Sequence, residues 1–138
     1  MSIDGIRFSE SRSIDLDQIV RLYRENGWSS ADEPQRLHEA LVHSHSLISA
    51  WDGQTLVGIG NAISDGHLVV YFPHLLVLPS HHRMGIGRAI MERMNRKYSG
   101  FHQQMLVSDR DAVEFYERIG FQRAGETQAM WIYEGKDH

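Results

Sequence analysis

Gly85 and Gly87 close the stretch YFPHLLVLPSHHRMGIGRAI, residues 71–90. It reads as a buried strand, a short polar turn, a glycine-rich corner and the start of a helix. Without Cβ atoms, the corner lets backbone N–H groups face outward. A helix N-terminus opening from such a corner is a place to hold phosphate. The same two glycines also suit a plain strand-to-helix turn, and spacing alone leaves both readings open. A Walker loop needs GxxxxGK followed by Ser or Thr, which is absent. A Rossmann fingerprint needs GxGxxG after the first strand of a βαβ unit; here only Gly85-Ile86-Gly87 is present, after three antiparallel strands. The nine histidines show no HExxH pattern. His43/His45 and His81/His82 are too close together to form a closed metal site alone, so no metal is expected.

The elements around that corner follow from periodicity and turn chemistry. Residues 3–8 alternate as a short strand. Ser13 or Asp15 can cap a helix to about Glu25, with Leu16, Ile19, Val20 and Tyr23 on one face, and Asn26-Gly27 ends it. Asp32 is expected to cap a second helix, with Pro34 in its first turn and Leu37, Ala40 and Leu41 inward. Residues 47–51 and 56–64 form a hairpin about Asp52-Gly53, and Asp65-Gly66 leads into a long strand at 68–78. Pro73 cannot donate to a ladder, so an irregularity is expected at Pro73-His74. A helix starts at Met84 or Gly85 and runs to about Tyr98, with Ile86, Ile90 and Met94 four apart. Residues 103–107 give a strand parallel to the long one, since a helix separates them. Residues 111–118 form a short helix with Val113, Phe115 and Tyr116 as its bulkier residues, and Gly120 stops it. Phe121 and residues 127–133 give the last strands. The order β-α-α-β-β-β-α-β-α-β describes an α/β protein with a mixed sheet.

A chain of 138 residues with 41% hydrophobic and 23% charged residues suits one globular domain over 1–138. The net charge of −4 and the lack of any basic block argue against nucleic-acid binding. No cysteine is present, so thiolate chemistry is excluded, and this fits a cytoplasmic protein. MSIDGIRFSE has no signal pattern, and no apolar run approaches the roughly 20 residues of a membrane helix.

The segment from His82 through Arg88 resembles motif A of the GNAT superfamily, the acyl-CoA-dependent N-acyltransferases, which is Q/R-x-x-G-x-G/A at the mouth of a long strand. The run Asp109-Arg110-Asp111-Ala112-Val113-Glu114-Phe115-Tyr116-Glu117-Arg118-Ile119-Gly120-Phe121 resembles the family's N-x-x-A-x-x-F-Y-x-x-x-G-F. The element order is similar over essentially the whole chain. The resemblance implies a GNAT fold: a mixed, mostly antiparallel sheet of six or seven strands with a splayed central strand, and about four helices. It implies acetyl-CoA as co-substrate. Its pyrophosphate would sit on the backbone of His82, Arg83, Met84, Gly85, Ile86, Gly87 and Arg88, and its pantetheine along Leu75, Leu76 and Val77. Two departures stand out. His82 replaces the usual Gln or Arg. Asp109 replaces the usual Asn, cannot donate an amide N–H, and brings negative charge near the co-substrate.

The implied reaction is direct attack of a primary amine on the thioester in a ternary complex. By resemblance, Tyr116 is the acid toward the thiolate; the plain alternative is a packed tyrosine. A histidine at His74 can accept a proton near pH 7, or can simply satisfy a strand kink. His67, Glu126 and a water chain stay open as bases. His38, His43, His45 and His102 read as solvated. Trp28, Tyr71 and Asp65 are the acceptor-site candidates, although Trp28 can equally plug the core. Together Gly27-Trp28, Ile63-Ser64-Asp65-Gly66 and Leu75-Leu76-Val77 resemble a small GNAT subgroup of bacteria and plastids. The acceptor is expected to be a small molecule, with a peptide acceptor or a non-catalytic acyl-CoA-binding module as alternatives. A homodimer through exposed strands is compatible with the pattern, and neither nucleic acid nor membrane is an expected partner.

Overall fold

The computed structural model describes residues 3–136; residues 1–2 and 137–138, the ends of the expected domain, lie outside the described residues. In chain order the elements are β1 (Ile6–Ser9), α1 (Leu16–Glu25), α2 (Pro34–Val42), β2 (Ser46–Asp52), β3 (Thr55–Ser64), β4 (Val69–Tyr71), β5 (Leu75–Val77), α3 (Ile86–Lys97), β6 (Gln103–Met105) and α4 (Val113–Ile119). Short 3-10 turns occupy Ser29–Asp32, Pro79–His81 and Arg110–Ala112. The sheet has six strands in the order β1-β2-β3-β4-β6, with β5 paired to β3 beside that path. Four of the five pairings are antiparallel, and β4 with β6 is parallel, as a helical crossover between them requires. The mixed α/β expectation holds in its main lines.

The core forms where the helix stripes meet the sheet. Ile19, Leu22 and Tyr23 of α1, Leu41 of α2 and Ile86, Ile90 and Met94 of α3 are buried in one core with Ile48, Val57 and Ile59 of the sheet. Helix α3 can lie this close because β3 carries Gly58 and Gly60 beneath it. A Cβ on Gly60 would stand 2.7 Å from Ile90 Cγ2, and one on Gly58 3.0 Å from Ile86 Cγ2. Both methyls sit on branched, buried side chains with little room to rotate. Gly60→Ala is therefore expected to overpack this interface and lower stability by about 1–3 kcal/mol. Thermal unfolding checks it, and an unchanged midpoint would show that α3 can lift without loss.

Three expectations are corrected. Asp32 does not cap α2: Pro34 takes the first helical position, Glu33 is the cap residue, and Asp32 ends a separate 3-10 turn. The long strand at 68–78 is two strands, β4 and β5, interrupted at Phe72-Pro73-His74. Pro73 lacks an N–H, and Asn61 bridges the gap it leaves. The His74 N–H donates to Asn61 Oδ1 at 3.1 Å, and the Asn61 N–H donates to the His74 carbonyl at 3.2 Å. Asn61 Nδ2 is anchored on Ser44 Oγ at 3.0 Å, in a buried site. Finally, Phe121 and residues 127–133 form no strand, since 121–136 runs as irregular chain. Period-two patterning is present there, but a strand also needs an edge to pair with, and this segment turns away from β6 toward Ser29.

Candidate active site

The break at Pro73 divides the two flanks of the sheet. β4 runs beside β6, whereas β5, among the described residues, pairs only with β3. Next to β5, on the side away from β3, lies the gap that β6 does not fill. Antiparallel alternation turns the backbone groups of His74, Leu76 and Leu78 toward β3, and bonds from Asn61 N–H to the His74 carbonyl and from Leu78 N–H to the Val57 carbonyl fix that phase. The backbone groups of Leu75 and Val77 therefore face the gap. Leu76 points its side chain into the core, so the expected trio contributes through Leu75 and Val77.

At the lower end of β5 the chain enters the glycine corner. Arg83 has φ 65° and Gly85 has φ 92°, two left-handed residues separated by one. Gly85 caps α3 without any side-chain hydrogen bond, and the first intrahelical bond runs from the Ala89 N–H to the Gly85 carbonyl at 3.0 Å. The N–H groups of Ile86, Gly87 and Arg88 thus have no partner within the helix, and they point where the helix dipole is positive. Arg83 and Arg88 are exposed beside them, Arg88 reaching Glu92 at 3.4 Å. Met84 is half-buried against the core. His82 does not project toward this corner: its Nε2 meets the Val77 carbonyl at 2.9 Å, and Asn26 Nδ2 donates to the same oxygen at 3.1 Å. The residue at the first motif position holds the loop to β5.

Beyond the break lies a cavity of about 290 Å³ whose walls include Trp28, Tyr71, His74, Leu75, Asp109 and Tyr116. Four of the expected catalytic and acceptor residues, Trp28, Tyr71, His74 and Tyr116, thus meet one space with Leu75 and Asp109. A second cleft of about 560 Å³ adjoins it through His74 and is bounded by Ser29, Asp32, Arg36 and Glu134. Trp131 and Tyr133 from the C-terminal segment complete the first cavity, and Tyr133 also borders the second.

His74 is held from behind. The Tyr23 hydroxyl lies 2.7 Å from His74 Nδ1. Trp28 packs edge-on against both rings, 5.1 Å from His74 and 5.7 Å from Tyr23 between centroids. Trp28 is therefore both core plug and cavity wall. Burial pushes the Tyr23 phenol far above its ordinary range, so it stays protonated. Two tautomers are compatible with this pair. If Tyr23 donates to Nδ1, the ring proton sits on Nε2. If Nδ1–H donates to the phenol oxygen, the Nε2 lone pair can take a proton.

Tyr116 packs against Phe115 and Phe121 at 5.0 and 5.8 Å. Burial pushes its phenol up to about 12, and the nearby Asp109 carboxylate adds to the rise. Asp109 thus acts on this site as a negative charge that keeps the phenol protonated.

Asp65 is not part of the cavity. Its Oδ1 accepts the N–H groups of His67, Leu68 and Val69 at 2.9, 2.8 and 3.3 Å, and these bonds hold its carboxyl below the usual range. It shapes the turn before β4, and of the three expected acceptor residues only Trp28 and Tyr71 line the cavity. His67 and Glu126 are exposed and line neither space. His45 and His38 are not simply solvated: His45 Nδ1 meets the Tyr98 hydroxyl at 2.7 Å, and His38 Nε2 meets the Ile14 carbonyl at 2.8 Å.

Tyr23 and Asn61, which hold His74, and Trp131 and Tyr133, which line the cavity, are residues that the sequence reading placed elsewhere or passed over. Tyr23→Phe tests the first. Removing the hydroxyl leaves His74 Nδ1 without this partner and lets the ring turn. An activity loss of about tenfold in kcat is expected, equivalent to about 1.4 kcal/mol, with KM for the donor little changed. An unchanged kcat would mean that Tyr23 serves packing alone.

Comparison with known proteins agrees with this geometry. Residues 15–131 match the family model described as an acetyltransferase (GNAT) domain. The chain is 36% identical to "GCN5-related N-acetyltransferase 3, chloroplastic" of Arabidopsis thaliana, over 90% of this chain and 57% of that protein. It is 24% identical to an "Uncharacterized N-acetyltransferase ycf52-like" of Prochlorococcus marinus, over 90% of this chain and 73% of that one. Among solved structures it is similar to a GNAT family acetyltransferase from Streptococcus pneumoniae, with 29% identity, a TM-score of 0.80, and coverage of 94% of this chain and 98% of the other.

Proposed function

This chain belongs to the GNAT acetyltransferase family and is an acyltransferase, and from that membership we propose that it moves the acetyl group of acetyl-CoA onto the primary amine of a small molecule. The observation that carries the reading is the alignment of two features on one gap: the partnerless amides at the start of α3, and the cavity holding His74 and Tyr116. The co-substrate fits the residues present. A pyrophosphate suits the Ile86, Gly87 and Arg88 amides with Arg83 alongside, and an amide-containing arm suits the outward backbone of Leu75 and the Val77 N–H, the Val77 carbonyl being held by His82 and Asn26. The acetyl end would then reach the aromatic cavity.

In this reading the amine nitrogen forms a bond to the acetyl carbon as the carbon–sulfur bond breaks. The amine must lose a proton. His74 takes it on Nε2, in the tautomer whose Nδ1–H donates to Tyr23. Tyr116 donates a hydrogen bond to the departing sulfur. Complete transfer of its proton is uphill: a phenol at about 12 faces a thiol whose ordinary pKa is about 8.5, a gap of roughly 4–5 kcal/mol. Tyr116 therefore lowers the charge cost of the thiolate, and the thiolate is protonated later from solvent.

The small-molecule acceptor is favoured by the C-terminal segment, which crosses the cleft and narrows it, Lys136 N–H reaching Ser29 Oγ at 3.1 Å. A thiol-release assay with acetyl-CoA over a panel of amines and N-terminal peptides tests the proposal. Saturable CoA release with an amine is the expected result. Release with peptides alone would overturn the acceptor class. No release, together with no acetyl-CoA binding by calorimetry, would overturn the activity.

A further inference from the structure

We propose that the acceptor is an aliphatic diamine: one nitrogen is acetylated beside His74 while the second, charged nitrogen lies in the adjoining cleft against Asp32 and Glu134. This rests on the acetyl-transfer reading and names the substrate class of that site. His74 and Tyr133 border both the aromatic cavity and the cleft of about 560 Å³, so one extended molecule can pass from the first into the second. Leu37 and Ala40 of α2 give the cleft an apolar wall, which suits a run of methylenes.

The charged residues of the cleft are Asp32, Glu33, Glu134, Arg36 and Lys136. Glu33 and Arg36 answer each other at 3.1 Å. Among the described residues, Asp32 and Glu134 enter no ion pair and no side-chain hydrogen bond. Asp32 is left over by the local fold: it ends its 3-10 turn and lends α2 no cap. Two carboxylates therefore stand against the single ammonium of Lys136, and the cleft carries uncompensated negative charge. A second observation points the same way. Ser30 lines the same cleft, and its Oγ is buried without a partner among the described residues. A buried hydroxyl left unpaired costs free energy, and the N–H of a bound ammonium removes that cost. A monoamine fills the aromatic cavity and leaves all three groups unanswered. A diamine serves both spaces in different protonation states. Its reacting end gives a proton to His74, while its far end, with an alkylammonium pKa of about 10.4, stays charged.

Pentylamine, cadaverine and δ-aminovalerate differ at the far end alone: methyl, ammonium or carboxylate. In the thiol-release assay, kcat/KM is expected to be about tenfold higher for cadaverine than for pentylamine, and lowest for δ-aminovalerate. Putrescine against butylamine repeats the comparison at a second length. Asp32→Asn and Glu134→Gln, both at exposed positions, are each expected to cut the diamine-to-monoamine ratio about threefold with unchanged circular dichroism, and added salt to shrink it. Equal values for diamine and monoamine at both lengths overturn the proposal. So does a preference for δ-aminovalerate, which would give the cleft to Lys136, or a ratio that neither variant alters. If no amine releases CoA, acetyl transfer fails, and calorimetric titration of the chain with CoA present still decides the cleft. Cadaverine binding tighter than pentylamine, and weakened by Asp32→Asn, supports it; equal binding overturns it.

Discussion

Tyr116→Phe lowers kcat about a hundredfold, with KM for acetyl-CoA nearly unchanged, if Tyr116 donates to the departing sulfur; removal of one such donor from a reacting centre has effects of this size. The ring itself contributes to packing through Phe115 and Phe121, and phenylalanine keeps that contact. The loss should therefore appear in turnover and not in stability near neutral pH. The pH dependence sharpens the test. With its phenol at about 12, Tyr116 does not ionise in the usual assay range, so an alkaline limb below about pH 10 belongs to another group and survives in Tyr116→Phe. Asp109→Asn removes the charge that adds to the rise and moves the phenol down. The same phenol bears on folding. Its pKa is higher folded than unfolded, so its contribution to stability is fully present below about pH 10 and drains away as pH climbs through about 12. A Tyr116→Phe variant with wild-type kcat across the pH range would return Tyr116 to a packing role.

The features legible in the sequence are those set by neighbours within a few residues. The stripe at Ile86, Ile90 and Met94, the turn at Asp65-Gly66 and the interruption at Pro73 all follow from local rules, and the structure carries each of them. The glycine corner is legible for the same reason: Gly85 and the helix it opens are adjacent in the chain. What holds the reacting side is long-range. Tyr23 and His74 lie 51 residues apart, and an aromatic on the buried stripe of α1 reads as core whether or not its hydroxyl has a task. Asn61 bridges to His74 across 13 residues, inside a strand whose other signals are apolar or glycine. Asp65 shows the reverse: its Oδ1 is taken up by the turn before β4, and the side chain lines neither space. The segment at 127–133 has a strand's alternation without a strand's neighbour, because alternation encodes a preference and pairing requires an edge that local pattern does not supply.

Gly85→Val is expected to reduce acetyl-CoA affinity at least tenfold and to cost about 1–3 kcal/mol of stability. Gly85 stands at φ 92°, where an L side chain is strained whatever the space around it. The site is also not empty, since a Cβ would lie 3.5 Å from Ile3 Cγ2 and a branched side chain would reach further. Relief by moving φ to negative values swings the loop that carries Arg83 relative to the start of α3, and with it the three amides relative to the corner. Stability and affinity then fall for one geometric reason but in separate measurements: thermal unfolding for the first, calorimetric titration with acetyl-CoA for the second. Arg83→Gly separates backbone from charge. Arg83 holds φ 65°, so glycine relaxes that residue, and stability holds or rises by up to about 1 kcal/mol. Affinity falls only by the loss of one exposed cation and becomes less sensitive to salt. If Gly85→Val instead binds acetyl-CoA like the wild type, the glycine corner is only a turn. The anion-holding role would then have to rest on Arg83 and Arg88 alone, and Arg83→Gly would show the larger loss of the two.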